Sequence, residues 1–175
     1  MPITPDDKDW TWVLERPCPE CGFDASALSR DAVGAELRAN ASVWSAVLAR
    51  PDVRDRPSDD RWSPLEYGCH VRDVYRLYRY RLQLMLDEDD PTYPNWDQDV
   101  TAVDERYAEQ DPTVVAREVV TAGEDLAAAF DAVRDDQWSR TGTRSDGARF
   151  TVETFARYLV HDPVHHVWDV SGSRA

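Results

Sequence analysis

Apolar residues along this chain recur mostly three and four positions apart, the spacing of one buried helix face, and no long segment alternates as a strand would. Between Ser29 and Arg50, residues Val33, Leu37, Trp44, Val47 and Leu48 fall near one face, with Ser29 placed to cap the helix and Pro51 to stop it. A sharper start comes at Ser63-Pro64-Leu65-Glu66: a capping serine, proline at the first helical position and a glutamate that can return to the cap N–H. The helix it opens should run to about Leu86, with Leu65, His70, Val74, Leu77, Arg81 and Met85 approximating one stripe. After the loop DEDDPTYPNWD a short polar helix is expected around Val100 to Glu109. Asp111-Pro112 repeats the cap-then-proline signal and opens a helix through about Val133, on which Val115, Val119, Leu126, Phe130 and Val133 are spaced for burial. A loop containing Gly and Ser reaches about Arg149, and a last helix spans Thr151 to about Val170. Four long amphipathic helices joined by unequal loops predict an all-α fold, a helical bundle over residues 29–170. An irregular arm over 1–28 precedes it and a tail over 171–175 follows.

Composition changes this picture mainly by exclusion. With 175 residues, 42% of them apolar and seven Trp among them, one domain with a substantial core is expected. Twenty Lys+Arg against 34 Asp+Glu give a net charge of -14, the wrong sign for a nucleic-acid or anionic-membrane partner. The opening MPITPDDKDW is acidic and lacks an apolar targeting segment, and nothing approaches the ~18 consecutive apolar residues of a membrane span, so a soluble, cytoplasmic protein is expected. Three cysteines, Cys18, Cys21 and Cys69, are too few and too odd in number for a disulfide framework, and reduced thiols are the expectation.

Histidine is the scarce residue with chemistry to offer. The four are His70, His161, His165 and His166. His161 and His165 stand four apart, so on a helix they share a face and can grip one ion. His70, about two turns into the second long helix, can supply a third ligand from across a bundle. Three neutral imidazoles with an open position suit a reactive divalent ion: Zn²⁺ most naturally, with Ni²⁺, Fe²⁺ or Co²⁺ as alternatives. His166 points about 100° away from His165 and reads as a hydrogen-bonded or surface residue rather than a fourth ligand. Asp73 and Asp169, each one turn beyond a histidine, are placed either to orient imidazoles or simply to face solvent. Pro163, between the paired histidines, removes the helical bond to the Leu159 carbonyl and is expected to bend the helix; the competing reading ends the helix there.

The segment Trp62-Ser63-Pro64-Leu65-Glu66-Tyr67-Gly68-Cys69-His70-Val71-Arg72-Asp73, together with His161-Asp162-Pro163-Val164-His165-His166, resembles the DinB/YfiT-like metal-dependent bundles. These include mycothiol-dependent maleylpyruvate isomerases and other bacterial-thiol S-transferases. The resemblance covers about residues 29–170 and implies a DinB-like four-helix bundle. In that family one histidine of the second helix and an H-x-x-x-H or E-x-x-x-H pair of the last helix hold a divalent metal, which maps onto His70, His161 and His165. It further implies a metal-activated low-molecular-weight thiol, with mycothiol as the cosubstrate to test given an actinobacterial-looking composition, and a homodimer by analogy. The alternatives are a non-catalytic, stress-related binder of a metal or small ligand, and a metal-dependent hydrolase. No cysteine, serine or lysine nucleophile stands beside a base.

Two features lie outside that core reading. Cys18-Pro19-Glu20-Cys21 can be half a zinc knuckle, which needs a second ligand pair, or a redox pair, which needs a βαβ context; a structural clasp or buried thiols is the expectation. Trp10 and Trp12 are expected to pack this arm onto the bundle. Arg72, Arg76, Arg79 and Arg81 offer a cation for an anionic substrate or thiol, or else pair with surface carboxylates.

Overall fold

The structure, a computed structural model, describes residues 9–172. Most of the opening stretch read above for a targeting segment, and the last three residues of the tail, lie outside the described residues. Four long helices carry the core: α1 (Val33–Val47), α2 (Pro64–Asp87), α4 (Pro112–Asp131) and α5 (Val152–Ser171), with a short α3 (Gln98–Asp104) between α2 and α4. Helix α1 packs on α4 and α5, and α2 packs on the same two, so α1 and α2 face each other diagonally across the bundle. The α1–α4 seam is close: a Cβ on Gly123 would stand 2.6 Å from the Cβ of Ala41.

The helix starts follow their local chemistry. Ser63 and Glu66 form the reciprocal capping box, the Ser63 N–H donating to Glu66 Oε2 at 2.9 Å and the Glu66 N–H to Ser63 Oγ at 3.3 Å. The side chain of Asp111 accepts from the Thr113 N–H at 2.8 Å, and Thr151 and Thr154 cap α5 reciprocally. Helix α5 runs unbroken through Pro163 to Ser171 and ends at Gly172 with φ 68°, so the reading that ends it at the proline is set aside. The Pro163 carbonyl accepts from Asn40 Nδ2 at 2.9 Å; Asn40 Oδ1 accepts from the Tyr75 hydroxyl at 2.8 Å and from Trp44 Nε1 at 3.2 Å. One buried amide therefore joins α1, α2 and α5 at the level of the histidines.

Three local expectations differ from what is observed. Ser29 makes no side-chain cap bond; a 3₁₀ turn, Arg30–Ala32, leads into α1 instead. The helix expected over Val100 to Glu109 is α3 plus a separate turn, Tyr107–Glu109, divided where Arg106 takes a left-handed conformation at φ 52°. The loops around α3 and before α5 contain a small sheet: β1 (Thr92–Tyr93) parallel to β2 (Thr141–Arg144), and β2 antiparallel to β3 (Arg149–Thr151). Sheet and helix share a residue, since Thr151 ends β3 and caps α5. Gly142 lets β2 lie against Met85 at the end of α2, where a Cβ would meet Met85 Cγ at 2.8 Å. The sheet thus braces the start of the helix that carries three of the four histidines.

Candidate metal centres

Consecutive residues on a helix point about 100° apart, so 161/165 and 162/166 make two i, i+4 pairs on adjoining faces of α5. Among the described residues, each pair meets partners from a different part of the chain. Cys18, Cys21, His161 and His165 form one group and His70, Asp162 and His166 the other, with ligand-type atoms within 4.8 Å of one another in each. The three histidines read from the sequence as one set are therefore divided: His161 and His165 turn toward the arm, while His70, on α2, meets the neighbouring face of α5.

In the α2-facing group, His70 Nε2 lies 3.4 Å and His166 Nε2 3.6 Å from the same oxygen, Asp162 Oδ1. Neither nitrogen of His70 nor Asp162 Oδ1 has a hydrogen-bond partner, although all three atoms are buried. Such orphans are rare, because leaving a buried donor or acceptor unmet costs about 1–3 kcal/mol. Ligands about 2.0–2.1 Å from a tetrahedral Zn²⁺ stand about 3.3 Å apart, so the observed separations fit a shared divalent ion. Burial drives the His70 imidazole toward its neutral form. Burial alone would raise the Asp162 carboxyl, but His166 and the contact with His70 Nε2 at 3.4 Å lower it instead. A carboxylate oxygen and two imidazoles thus converge, a donor set that can hold a cation.

Orienting contacts complete this group. Asp169 Oδ2 lies 2.9 Å from His166 Nδ1 and fixes that ring, so Asp169 serves the histidine three residues before it. His70 is held between rings, stacked on Trp96 at 5.3 Å and against Trp62 at 5.2 Å, while Tyr67 lies 4.9 Å from His166. Glu66, one turn before His70, is anchored by Arg56 Nε at 2.9 Å, which ties the start of α2 to its preceding loop. The carboxylate of Asp73 is taken up by Arg72 and by the Tyr107 hydroxyl rather than by an imidazole. Cys69 points away from His70, its Sγ 3.9 Å from the Tyr107 carbonyl, and burial pushes the thiol up to about 12. Asp162 and His166 are partly exposed as residues, although both His70 nitrogens and Asp162 Oδ1 are themselves buried.

The arm-facing group differs in chemistry and in closure. All four residues are buried, and no disulfide joins Cys18 to Cys21. Burial, reinforced by the neighbouring His165, lowers His161 to about 4, and burial lowers His165 as well, so both rings are neutral at ordinary pH. Trp10 packs on His161 at 5.5 Å and on His165 at 5.2 Å, as expected of an aromatic that seats the arm. A second pair of ligand-type side chains, as a zinc knuckle would need, stands beside the cysteines, with His165 147 residues beyond Cys18.

The four arginines each have a partner within the chain, Arg79 donating to Gln83 Oε1 at 3.1 Å. Arg72 and Arg76 pair with Asp73 and Glu118, and buried Arg81 donates to the Pro94 carbonyl beneath Tyr78 and Tyr93. Asp162 and His166 were not grouped with His70 among the readings of the sequence. Their i, i+4 spacing was the available signal, hidden by the more conspicuous histidine pair one residue earlier.

A bundle whose facing helices bring two imidazoles and a carboxylate to one point is of the class that builds metal sites in its interior. The family model described as the DinB superfamily matches residues 46–170, and the chain belongs to that superfamily. Among solved structures it is similar to YfiT from Bacillus subtilis, described as a probable metal-dependent hydrolase with an unusual four-helix bundle topology. The identity is 16% and the TM-score 0.68, over 98% of this chain and 93% of that one. That likeness establishes the fold. No curated protein matches the chain. No helix among the described residues is long and apolar enough to cross a membrane.

Proposed function

We propose that the protein is a divalent-metal-dependent enzyme whose reactive ion is held by His70, Asp162 and His166. The observation that carries this reading is the convergence of two imidazoles on Asp162 Oδ1, with the lone pairs of His70 and Asp162 otherwise unmet. Three nitrogen and oxygen ligands with one open side are the arrangement of catalytic rather than structural ions. This set replaces the His70, His161 and His165 set, because His161 and His165 face the arm.

The ion would lower the pKa of a thiol or water at its open side and hold it beside an electrophile. Asp162 offsets part of the ion's charge, Asp169 keeps His166 turned so that Nε2 faces Asp162, and Trp62 and Trp96 keep His70 from turning and exclude water from its far side. Within this reading the nucleophile is a low-molecular-weight thiol, mycothiol first, and the reaction an S-transfer. The description of YfiT as a probable metal-dependent hydrolase favours water as the second nucleophile to test. Zn²⁺, Ni²⁺, Fe²⁺ and Co²⁺ all suit two imidazoles and a carboxylate.

The test supplies metal-loaded, untagged protein with mycothiol and a panel of electrophiles, and separately with ester and amide substrates. Turnover should fall by about 100-fold or more in Asp162→Asn and His166→Ala, beyond the scale on which ligand-orienting groups act. Turnover unchanged in both variants would overturn the assignment. An ion on this group with no turnover of any substrate would leave a non-catalytic binder as the better account.

A further inference from the structure

We infer that Cys18, Cys21, His161 and His165 form a second, structural zinc site that fastens the N-terminal arm to α5. Both cysteines lie outside the segment that the superfamily model matches, residues 46–170, and ahead of α1, the first helix of the bundle.

The local chain is built for it. Between the cysteines the backbone folds back on itself: the Gly22 N–H donates to the Cys18 carbonyl at 2.9 Å and the Cys18 N–H to the Phe23 carbonyl at 2.8 Å. Gly22 takes φ 71°, which a side chain would strain, and closes the turn. Cys18 Sγ stands 3.7 Å from His165 Nδ1, matching the about 3.6 Å between sulfur and nitrogen ligands of one tetrahedral Zn²⁺. The other nitrogen of His165, Nε2, lies 3.2 Å from Glu20 Oε2, inside the same Cys-x-x-Cys turn. A carboxylate there fixes the ring with Nδ1 turned to the sulfur, as carboxylates do behind metal-bound histidines. His161 Nε2 is buried with no hydrogen-bond partner, and His161 as a whole is only 4% exposed.

Charge and hardness then select the ion. Zn²⁺ displaces two thiol protons, and two thiolates with two neutral imidazoles leave a complex of zero net charge, which this buried position can accommodate. Four sulfur and nitrogen ligands with no open side define a structural site, in contrast to the His70–Asp162–His166 group. Fastening one face of α5 also fixes the helix about its axis, and with it Asp162 and His166, each adjacent in sequence to a clasp ligand.

Co²⁺ substitution of the untagged full-length protein, with thiols reduced, tests the site without any variant. Thiolate-to-cobalt charge-transfer absorption and intense tetrahedral bands are expected. The charge-transfer absorption should persist in His70→Ala/His166→Ala and disappear in Cys18→Ser/Cys21→Ser. The zinc absorption edge of the first variant should show two sulfur and two nitrogen neighbours, and chelation should lower its Tm by about 10 °C. Wild-type protein with reduced thiols and no sulfur-ligated metal overturns the proposal, as does an unchanged Tm on chelation. Failure of the reactive-site reading looks different: the wild type then holds about one ion, wholly sulfur- and nitrogen-ligated.

Discussion

Single side chains set the precision of both centres, and Asn40 shows how. It is 2% exposed, and its amide serves the Pro163 carbonyl on α5, the Tyr75 hydroxyl on α2 and the indole of Trp44 on α1. Because Pro163 falls inside both i, i+4 pairs, 161/165 and 162/166, this one residue holds α5 where the two groups converge. Asn40→Leu keeps most of the volume but strands a hydroxyl, an indole N–H and part of a carbonyl's bonding. Each such orphan costs about 1–3 kcal/mol, and partial relaxation brings the expected total to about 3 kcal/mol by urea denaturation. A loss below about 0.5 kcal/mol would show that water satisfies these groups and that Asn40 is no anchor. Glu66 illustrates the pH side of the same principle. Burial pushes its carboxyl up, but Arg56 and the Ser63 N–H and hydroxyl outweigh that and hold it below the usual carboxylate range. Its contribution is therefore present above the ordinary carboxylate pKa and lost as the pH falls through the lowered one.

At the level of elements, the four long helices were legible because capping chemistry is local: Ser63-Pro64-Leu65-Glu66 and Asp111-Pro112 state their boundaries within a few residues. The sheet was not, because strands of two to four residues are too short to display alternation. The two groups of ligand-type residues were half legible. Helical spacing announced that α5 carries a ligand pair, but His161/His165 and Asp162/His166 satisfy it equally, and only the packing of α5 against α2 and the arm separates them. One carboxylate among 34 acidic residues also carries no compositional signal. The register is testable. Asp162→His creates an H-x-x-x-H pair with His166 on the α2-facing side and should retain a divalent ion there, whereas Asp162→Ala should lose it. His161→Ala should leave that ion in place and remove the sulfur-ligated one, both read by metal analysis. Loss of the α2-facing ion in His161→Ala, with Asp162→Ala still loaded, would return the ligand set to His70, His161 and His165.

The whole molecule carries a net charge of -14, and its cations are largely engaged in pairs such as Arg38 with Glu124 and Asp131, Arg30 with Glu153, and Arg149 with Asp90. Added salt acts on this arrangement in two opposite ways. It weakens the exposed pairs, but those contribute little in water because side-chain ordering offsets most of the attraction. It also screens repulsion among the excess carboxylates, which is long-ranged and unfavourable only in the compact state. Raising ionic strength from about 0.01 M to about 0.15 M shortens the screening length from about 30 Å to about 8 Å, a span that removes repulsion across the molecule while sparing contacts. Repulsion should therefore dominate, and Tm should rise with NaCl over this range in protein kept saturated with zinc. The buried Cys18, Cys21, His161 and His165 site is shielded from the added ions, so the rise should be the same in zinc-loaded His70→Ala/His166→Ala. A Tm that falls with salt would mean that surface ion pairs, not the excess charge, govern the electrostatics of this fold.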